Sequence, residues 1–391
     1  MNLRDIFLKY STYFLGNISE LRDDYYKGLE FMKKLPEPVD DIERSHHQYR
    51  CQRFFQPYQG RILFDTISFF LFFPILFWSL VKKRYNKNAV QINNAVYIRS
   101  ATKEAIGIVP ECIVNEFNVI HYCSLGVFFL EKKDILFIYN IWKKYPFSPF
   151  FLFKNMLNIA SYRFIINKYN PNAIIALSEY SFTSSILTLF CERNGVELIN
   201  IMHGERLLEI RASFFRFHRC FVWDQHYIDI FKKLRAFSNQ FKIELPPALK
   251  IDVSKWRKQE IVCDFKYYLT THSDIELQQI SNALEILCGQ GYKVKVRPHP
   301  RYCNLESIKK YFRNEWIESL DVCIEESVAN TEAVIGVYST VMLQSYLCGR
   351  KIVLDDVNYK TQIERLTSVD YILLNKSVEV LSSYLNAKNN K

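Results

Sequence analysis

Two short polar motifs in the first half of the chain follow predicted buried strands and carry groups able to move protons. His203-Gly204-Glu205 follows the apolar run 197–202, so His203 and Glu205 are both candidates for a general base near neutral pH. Glu179 follows the apolar run 173–177 and places a second carboxylate at an equivalent strand end. The alternative for each carboxylate is a solvated surface group. The catalytic candidates are therefore His203, Glu205 and Glu179.

A third motif, in the second half of the chain, is suited to binding an anion. Arg297-Pro298-His299-Pro300-Arg301 follows a strand predicted at 293–297. The flanking prolines restrict the backbone around His299. An imidazole between Arg297 and Arg301 can bind a phosphate by hydrogen bond and by charge. The alternative is a turn in which His299 satisfies a local carbonyl group.

Hydroxyl groups at another strand end supply further candidate anion ligands. Tyr338-Ser339-Thr340 lies where a strand predicted at 333–337 is followed by a helix at 339–347, whose positive end presents hydroxyl and N–H groups. Ser339 is equally suited to be the N-cap of that helix, and the two roles are compatible. Thr271 and His272 close the first strand of the second half, where we expect them to face the binding cleft.

The elements that must position these motifs form two series of alternating strands and helices. The predicted strands lie at 95–99, 118–123, 173–177, 197–202 and 220–223, and then at 266–270, 293–297, 333–337 and 351–354. This alternation predicts an α/β protein with two Rossmann-like domains, mostly parallel sheets and a ligand cleft between the facing domains. Pro246-Pro247 and the polar run that follows mark a hinge, so the predicted domains are 91–248 and 249–391.

Residues 1–90 are predicted to form a helical extension that contains one long apolar segment, 62–81. Its twenty residues would just cross a bilayer. Four residues interrupt the apolar run, namely Asp65, Thr66, Ser68 and Pro74, and cations flank it at Arg61 and at Lys82-Lys83-Arg84. Three interpretations stay open: a helix lying in the membrane interface, a true span, or a buried core helix.

The composition is that of an ordinary packed protein with an excess of positive charge. Of the 391 residues, 49% are hydrophobic and 24% are charged, which argues against disorder and against a polytopic membrane protein. The formal net charge of +10 favours an anionic partner: nucleic acid, a phospholipid surface or a small anionic substrate. Because the cations are dispersed and no nucleic-acid motif occurs, we expect no nucleic-acid partner.

Several common site signatures are missing from the sequence. Without GxxxxGK or GxGxxG, a P-loop NTPase and an ordinary dinucleotide enzyme are disfavoured. Without an Asp-x-Asp sequence, we expect neither a metal nor a cofactor. The ten cysteines form no CxxC pair and no signal peptide is recognisable, so we expect a cytoplasmic protein with free, mostly buried thiols.

Taken in order, three motifs carry a family resemblance. His203-Gly204, His299-Pro300 and Tyr338-Ser339-Thr340 resemble motifs of bacterial GT-B glycosyltransferases with CMP-activated donors, among them sialyltransferases, polysialyltransferases and capsule Kdo transferases. The related CDP-glycerol-dependent teichoic acid polymerases are similar too. The similarity extends over about residues 95–365.

For the site, the resemblance implies that His299 contacts the CMP phosphate and that Ser339 and Thr340 hydrogen-bond it. Pro300, Arg297, Arg301, Tyr338, Thr271 and His272 complete the expected donor site. The sialyltransferase pattern has two adjacent acidic residues followed by Gly, which this chain lacks in its first half. His203-Gly204 is instead similar to the His-Gly of the polymerases, where His is the proposed base. The assignment of the base therefore stays divided among His203, Glu205 and Glu179.

For the activity, the resemblance implies an inverting, metal-independent glycosyltransferase. It would move a sialic acid or related ulosonic acid from a CMP donor to a lipid-linked surface glycan, such as O-antigen, lipooligosaccharide or capsule. Alternatives are a CMP-Kdo transferase, a CDP-glycerol or polyol-phosphate transferase, an inactive scaffold in a membrane glycan complex, and a nucleic-acid-binding protein. With the apolar segment, we expect peripheral contact with the cytoplasmic face of the inner membrane.

Overall fold

The computed structural model describes residues 22–81, 93–256, 263–300, 303–376 and 378–386. The chain divides into two compact units, Met1–Pro247 and Ala248–Lys391. Each unit contains a parallel sheet and helices, which confirms the predicted α/β class with two Rossmann-like domains behind N-terminal helices. Arg301 and the cations at 82–84 lie outside the described residues.

Parallel strands form the sheet of the first unit in the order β2-β1-β3-β4-β5-β6. Their bounds are β1 Asn94–Tyr97, β2 Val119–Tyr122, β3 Ala173–Ala176, β4 Glu197–Ile201, β5 Arg219–Val222 and β6 Phe241–Ile243. The central strands are almost wholly buried, which explains their continuous apolar runs, because both faces of a parallel sheet are covered.

The sheet of the second unit is also parallel, in the order β11-β10-β9-β7-β8. Its strands are β7 Cys263–Tyr268, β8 Val294–Arg297, β9 Thr331–Gly336, β10 Lys351–Leu354 and β11 Glu379–Val380. The chain passes from β7 to its neighbour β8 and then returns to the other side of β7 to form β9. This reversal makes the β7–β9 pair the topological switch point, where ligands of such sheets bind.

The α-helices are as follows. In the first unit they are α1 Arg22–Lys33, α2 Asp41–Phe54, α3 Tyr58–Val81, α4 Lys103–Gly107, α5 Glu111–Glu116, α6 Lys132–Lys144, α7 Pro149–Tyr169, α8 Ser184–Glu192 and α9 Gln225–Lys233. In the second unit they are α10 Val253–Trp256, α11 Asp274–Gly289, α12 Leu305–Tyr311, α13 Ile324–Ala329, α14 Thr340–Leu347, α15 Lys360–Ser368 and α16 Leu381–Leu385.

Two local features were not obvious from the sequence, which indicates one helix over 127–168 and Asp274 as the cap of α11. Asp274 is the natural choice of cap for α11, but Ser273 caps the helix and forms a capping box with Glu276. The stretch 127–168 contains two helices, α6 and α7, separated at Tyr145–Ser148, where Pro146 interrupts helical hydrogen bonding. The short edge strands β6 and β11 are not evident from the sequence.

Helix α3 contains the long apolar segment and packs against α7. Of the helices in the described residues, α3 is the one that length and composition would allow to cross a membrane. Its buried positions are Gly60, Ser68 and Ser79, while most of its aromatic residues point outward. Within this chain, α3 is therefore a surface helix and not a core helix.

The cysteines are free thiols, but fewer of them are buried than predicted. Four are buried, five are half-buried and Cys112 is exposed. The prediction of mostly buried thiols is wrong because several lie beside helix termini instead of on core faces. Cys323 is the N-cap of α13, and Cys348 is the C-cap of α14.

Candidate functional site

Three loops of the second unit come together because they follow three neighbouring strands. Strands β9, β7 and β8 are adjacent and parallel, so their carboxyl ends lie on one edge of the sheet. Thr270–His272 follows β7, Pro298–Pro300 follows β8, and Tyr338–Thr340 follows β9. The sequence motifs of the second half therefore share the switch-point edge.

A cavity of about 490 Å³ lies between these loops. Its lining residues are Tyr268, Leu269, Thr270, Arg297, Pro298, His299, Pro300, Ile324, Ser339, Thr340 and Val341. The structure thus brings the His-Pro motif and the Ser-Thr motif to one cavity. The polar groups of His299, Ser339 and Thr340 share it with apolar side chains such as Leu269 and Ile324.

Ser339 has an unsatisfied hydroxyl group. It is the N-cap of α14, yet its side chain makes no capping hydrogen bond. Its Oγ is buried and has no hydrogen-bond partner among the described residues. Because a buried polar group without a partner is unfavourable, a ligand acceptor in the cavity would gain from this hydroxyl and from the free N–H groups of the first turn of α14.

His299 is held in place by its backbone. Its N–H donates to Cys303 Sγ at 3.1 Å, and its carbonyl accepts from Cys303 N at 3.2 Å. The Cys303 thiol donates to the carbonyl of Thr270 at 3.1 Å, which links the loops after β7 and β8. Sequence reasoning missed Cys303, because nothing in its local sequence indicates this position in space.

Arg297 reaches the cavity wall, but two nitrogens of its guanidinium group already donate hydrogen bonds within the protein. Its Nη1 donates to Glu318 Oε2 at 2.5 Å, and its Nη2 donates to the carbonyl of Val322 at 2.8 Å. Lys266 donates to the other oxygen of Glu318 at 2.6 Å. Burial raises the pKa of Glu318, but the two cations outweigh it and lower the pKa overall. Arg297 therefore belongs to an internal ion-pair network.

A smaller cavity of about 120 Å³ adjoins the first and shares Tyr268, Thr270 and Ser339 with it. Thr271, His272 and Tyr338 line it, so these predicted donor-site residues lie beside the main cavity and not in it.

Both ring nitrogens of His272 are occupied within the protein. Nε2 accepts from the Thr270 N–H at 3.0 Å, and Nδ1 lies 2.6 Å from the hydroxyl of Tyr359. Burial lowers the pKa of His272. The ring therefore positions the loop after β7 by its hydrogen bonds and offers no nitrogen to a ligand in this geometry.

In the first unit, Glu179 is the anchor of a buried polar cluster. It follows β3, and the residues 203–206 follow the neighbouring strand β4. Glu179 is 1% exposed, accepts from Arg206 Nε at 2.5 Å and accepts from Asn200 Nδ2 at 3.2 Å. A solvated surface carboxylate is therefore the wrong interpretation of Glu179.

His203 is attached to the same arginine. Its Nδ1 lies 3.1 Å from Arg206 Nη2, which can only donate, so Nδ1 is the acceptor and the neutral ring carries its proton on Nε2. Burial lowers the pKa of His203, and the charge of Arg206 lowers it further. A base role for His203 thus requires its bond to Arg206 to open.

Glu205 is the unpaired member of this region. It is 8% exposed, and neither carboxylate oxygen has a hydrogen-bond partner among the described residues. Burial raises the pKa of Glu205 to about 8. The surface alternative is therefore wrong for Glu205 as well, and its proton affinity lies in the range that a base or acid near neutral pH requires.

Helix α2 of the N-terminal segment braces the loop that carries Glu179. Gln48 Nε2 donates to the carbonyl of Glu179 at 2.8 Å, and Gln52 Nε2 donates to that of Tyr180 at 2.6 Å. Both amides also donate to the carbonyl of Arg211. The sequence offers no signal for these contacts, since the partners are more than a hundred residues apart.

Among the described residues there is no group of three or more His, Cys, Asp or Glu side chains arranged to hold a metal ion.

No protein-family model matches the chain, and no curated protein matches its sequence. Among solved structures, it is similar to the UDP-GlcNAc 2-epimerase from Methanocaldococcus jannaschii, at 12% identity and a TM-score of 0.44, over 76% of this chain and 93% of that one. It is also similar to the glycosyltransferase of kitacinnamycin (9% identity, TM-score 0.39, 76% and 94% covered). A third similar structure is that of the calicheamicin glycosyltransferase, at 7% identity and a TM-score of 0.42, over 71% of this chain and 84% of that one. These likenesses concern the general fold alone.

Proposed function

We propose that this chain is a GT-B-type glycosyltransferase whose second unit binds the nucleotide of an activated sugar. The observation that carries the proposal is the cavity shared by His299-Pro300 and Ser339-Thr340. These two motifs belong to the resemblance to CMP-dependent glycosyltransferases, and the cavity lies at the switch-point edge of a parallel sheet.

The two kinds of lining residue support a nucleotide as the ligand. Leu269, Ile324 and Val341 offer apolar contact to a base or ribose. His299 and the hydroxyls of Ser339 and Thr340 offer hydrogen bonds to a phosphate, at the positive end of α14. This arrangement would stabilise the charge on a departing nucleotide phosphate.

We infer a CMP-activated ulosonic acid, such as sialic acid, as the donor, because the motifs resemble those of enzymes with such donors. CMP-Kdo and CDP-glycerol remain alternatives.

Transfer without a divalent metal is part of the proposal, since CMP leaves with a single phosphate that a few hydrogen bonds and one imidazole can stabilise. Transfer that survives EDTA would support this part, and transfer that needs added Mg²⁺ would overturn it.

For the base we propose Glu205 ahead of His203. Glu205 has no internal partner, whereas Nδ1 of His203 is engaged by Arg206. Because burial raises the pKa of Glu205 to about 8, its ionised form, the one that acts as the base, becomes the major form only above that pH. The base would take the proton of an acceptor hydroxyl, whose oxygen attacks the anomeric carbon. The bond from that carbon to the CMP phosphate then breaks, and the configuration inverts. Glu179 would position Arg206 and, through it, His203.

A thermal-shift screen with CMP, CDP, UDP and GDP tests the nucleotide site, since a ligand of the folded state must raise its melting temperature. We expect CMP to stabilise the protein and His299→Ala to lose that shift. His226→Ala, a change at a half-buried histidine of the first unit, should behave as wild type. Stabilisation by UDP or GDP but not CMP would reject the donor class, and no shift with any nucleotide would reject the site.

A CMP-release assay with CMP-sialic acid, CMP-Kdo and CDP-glycerol then identifies the donor. We expect His299→Ala to lower turnover by roughly 10²–10³-fold, as the loss of an anion-stabilising donor does in other enzymes. His203→Ala and Glu205→Gln should each lower turnover without loss of the CMP thermal shift. Full activity in Glu205→Gln would exclude it as the base.

A further inference from the structure

Helix α3 presents an unusually large apolar surface to solvent. Six of its aromatic side chains are more than half exposed: Tyr58, Phe69, Phe70, Phe73, Phe77 and Trp78. A soluble monomer rarely leaves such a continuous apolar patch uncovered. The sequence predicted an apolar helix here, but only the structure shows which side of it faces outward.

Gln59 and Thr66 are exposed, but two other polar residues of α3, Asp65 and Ser79, attach the helix to the protein near its two ends. Near its start, Asp65 pairs with Arg53 and accepts from the Phe150 N–H. Near its end, the Ser79 carbonyl accepts from the Leu130 N–H at 3.0 Å. These two attachments are about 21 Å apart along the helix. Since one folded unit holds α3 along its length, the helix could cross a bilayer only by leaving α7.

A second helix, α6, also presents large apolar side chains to solvent. Helix α6 packs against α7 as α3 does, with Phe137, Ile138 and Ile141 buried. Four large apolar or aromatic side chains of this helix are exposed, beside Asn140 and the lysines at its ends: Ile135, Leu136, Tyr139 and Trp142. Phe147 follows the helix at 95% exposure.

Cations accompany the surface of α6. Lys132, Lys133 and Lys143 are exposed at the ends of this helix. Such a helix suits the boundary between headgroups and acyl chains of a bilayer. It presents apolar side chains outward, its aromatic residues include ones with a polar tip, and its ends carry lysines. Lysine at the rim complements anionic headgroups.

We propose that the first unit binds the surface of an anionic lipid bilayer through the outward faces of α3 and α6, with α3 lying in the interface and not crossing it. The occupant is lipid, because the surface combines exposed Phe and Trp side chains with a cationic rim. This proposal is independent of the nucleotide site, which lies in the second unit.

Flotation of the purified full-length protein with vesicles tests this proposal. The vesicles are phosphatidylcholine with 30% phosphatidylglycerol, or phosphatidylcholine alone, each at low and high salt. We expect binding to the anionic vesicles that weakens with salt. The triple variant Phe73→Ser/Phe77→Ser/Trp78→Ser should bind at least about 100-fold more weakly, since three large side chains no longer enter the lipid. Leu136→Ser/Trp142→Ser should lose about tenfold.

The control is Ile275→Ser, which changes an isoleucine that is equally exposed but lies on α11 of the second unit. It should bind vesicles as wild type does, and all variants should keep the wild-type circular dichroism spectrum and melting temperature. Wild-type binding by the triple variant would overturn the proposal, and wild-type binding by the α6 variant would remove α6 from it.

Two further results would also contradict the proposal. A stable dimer by light scattering, with no vesicle binding and with dissociation in the triple variant, would make the surface a protein interface. Resistance of the membrane-bound protein to alkaline carbonate would indicate a span in place of an interfacial helix. Release by carbonate supports the interfacial position.

Discussion

The candidate sites of the two units follow the same rule of placement but differ in how their polar groups are satisfied. In the second unit, His299, Ser339 and Thr340 line an open cavity, and the Ser339 hydroxyl has no internal partner. In the first unit, Glu179 is buried in an ion pair with Arg206, and helix α2 supports its loop. A cavity that contains a buried hydroxyl group without a partner favours a ligand that can bond to it. A buried ion pair instead fixes the position of the residues around it.

Glu205 does not follow this difference between the two units. It lies in the first unit beside the closed cluster, yet it is unpaired like Ser339. In the loops after the neighbouring strands β3 and β4, Glu179 and Arg206 form a buried ion pair, and Glu205 is the unpaired carboxylate for which we propose a catalytic role. Three substitutions test this difference between paired and unpaired buried groups.

The largest expected effect is on stability, from Glu179→Gln. The change leaves Arg206 buried without its counter-charge, so we expect the free energy of unfolding of the first unit to fall by about 3 kcal/mol or more. Urea denaturation measures it. Glu192→Gln is the matched control, because Glu192 pairs with Arg216 but is half exposed, and its loss should be at most about 1 kcal/mol. Equal losses of stability in the two variants would show that the buried Glu179–Arg206 pair contributes no more than the surface Glu192–Arg216 pair.

A second effect on stability, which accumulates gradually as the pH rises, is expected from Glu205→Gln. The folded-state pKa of Glu205 is about 8, above the ordinary value of 4.5. Folding therefore takes up a proton between these values, so wild-type stability should fall as pH rises from about 5 to 8. The slope for this one group is at most about 1.4 kcal/mol per pH unit. Above pH 8 its contribution levels off.

Glu205→Gln should lack that contribution, so the variant gains stability over wild type as pH rises. Urea denaturation of both proteins at pH 5, 6, 7 and 8 measures the difference. Parallel curves for the two proteins would show that Glu205 is not held protonated by burial.

The smallest expected effect comes from Ser339→Ala. Because its hydroxyl has no partner, we expect unchanged or slightly higher stability without nucleotide, and roughly five- to tenfold weaker nucleotide binding. Calorimetric titration with CMP measures the affinity. Ser345→Ala on the same helix is the matched control: its hydroxyl is also buried and unpartnered, but it does not line the cavity. If both variants bind CMP equally, the unsatisfied hydroxyl of Ser339 has no part in the site.

Much of the fold was predictable because its signals are local. Continuous apolar runs such as 173–177 and 197–202 identify strands buried on both faces, and β3 and β4 match them within a residue. The family resemblance assigns the His-Pro and Ser-Thr motifs to one nucleotide, and the structure places both at the carboxyl-end edge of one parallel sheet. The partners of individual side chains carry no such local signal. Gln48 and the Glu179 loop are separated by 131 residues.

What the sequence by itself determined is the order of strands and helices, the two α/β series and the positions of the polar motifs at strand ends. Periodicity and strand-end chemistry act over a few residues, so they can be read directly. Only the tertiary structure decided that Arg297 pairs with Glu318, that both ring nitrogens of His272 are hydrogen-bonded, that Glu205 is unpaired and that the aromatic face of α3 points outward. Burial and pairing depend on which distant segments meet, and that is set by the packing of the whole unit.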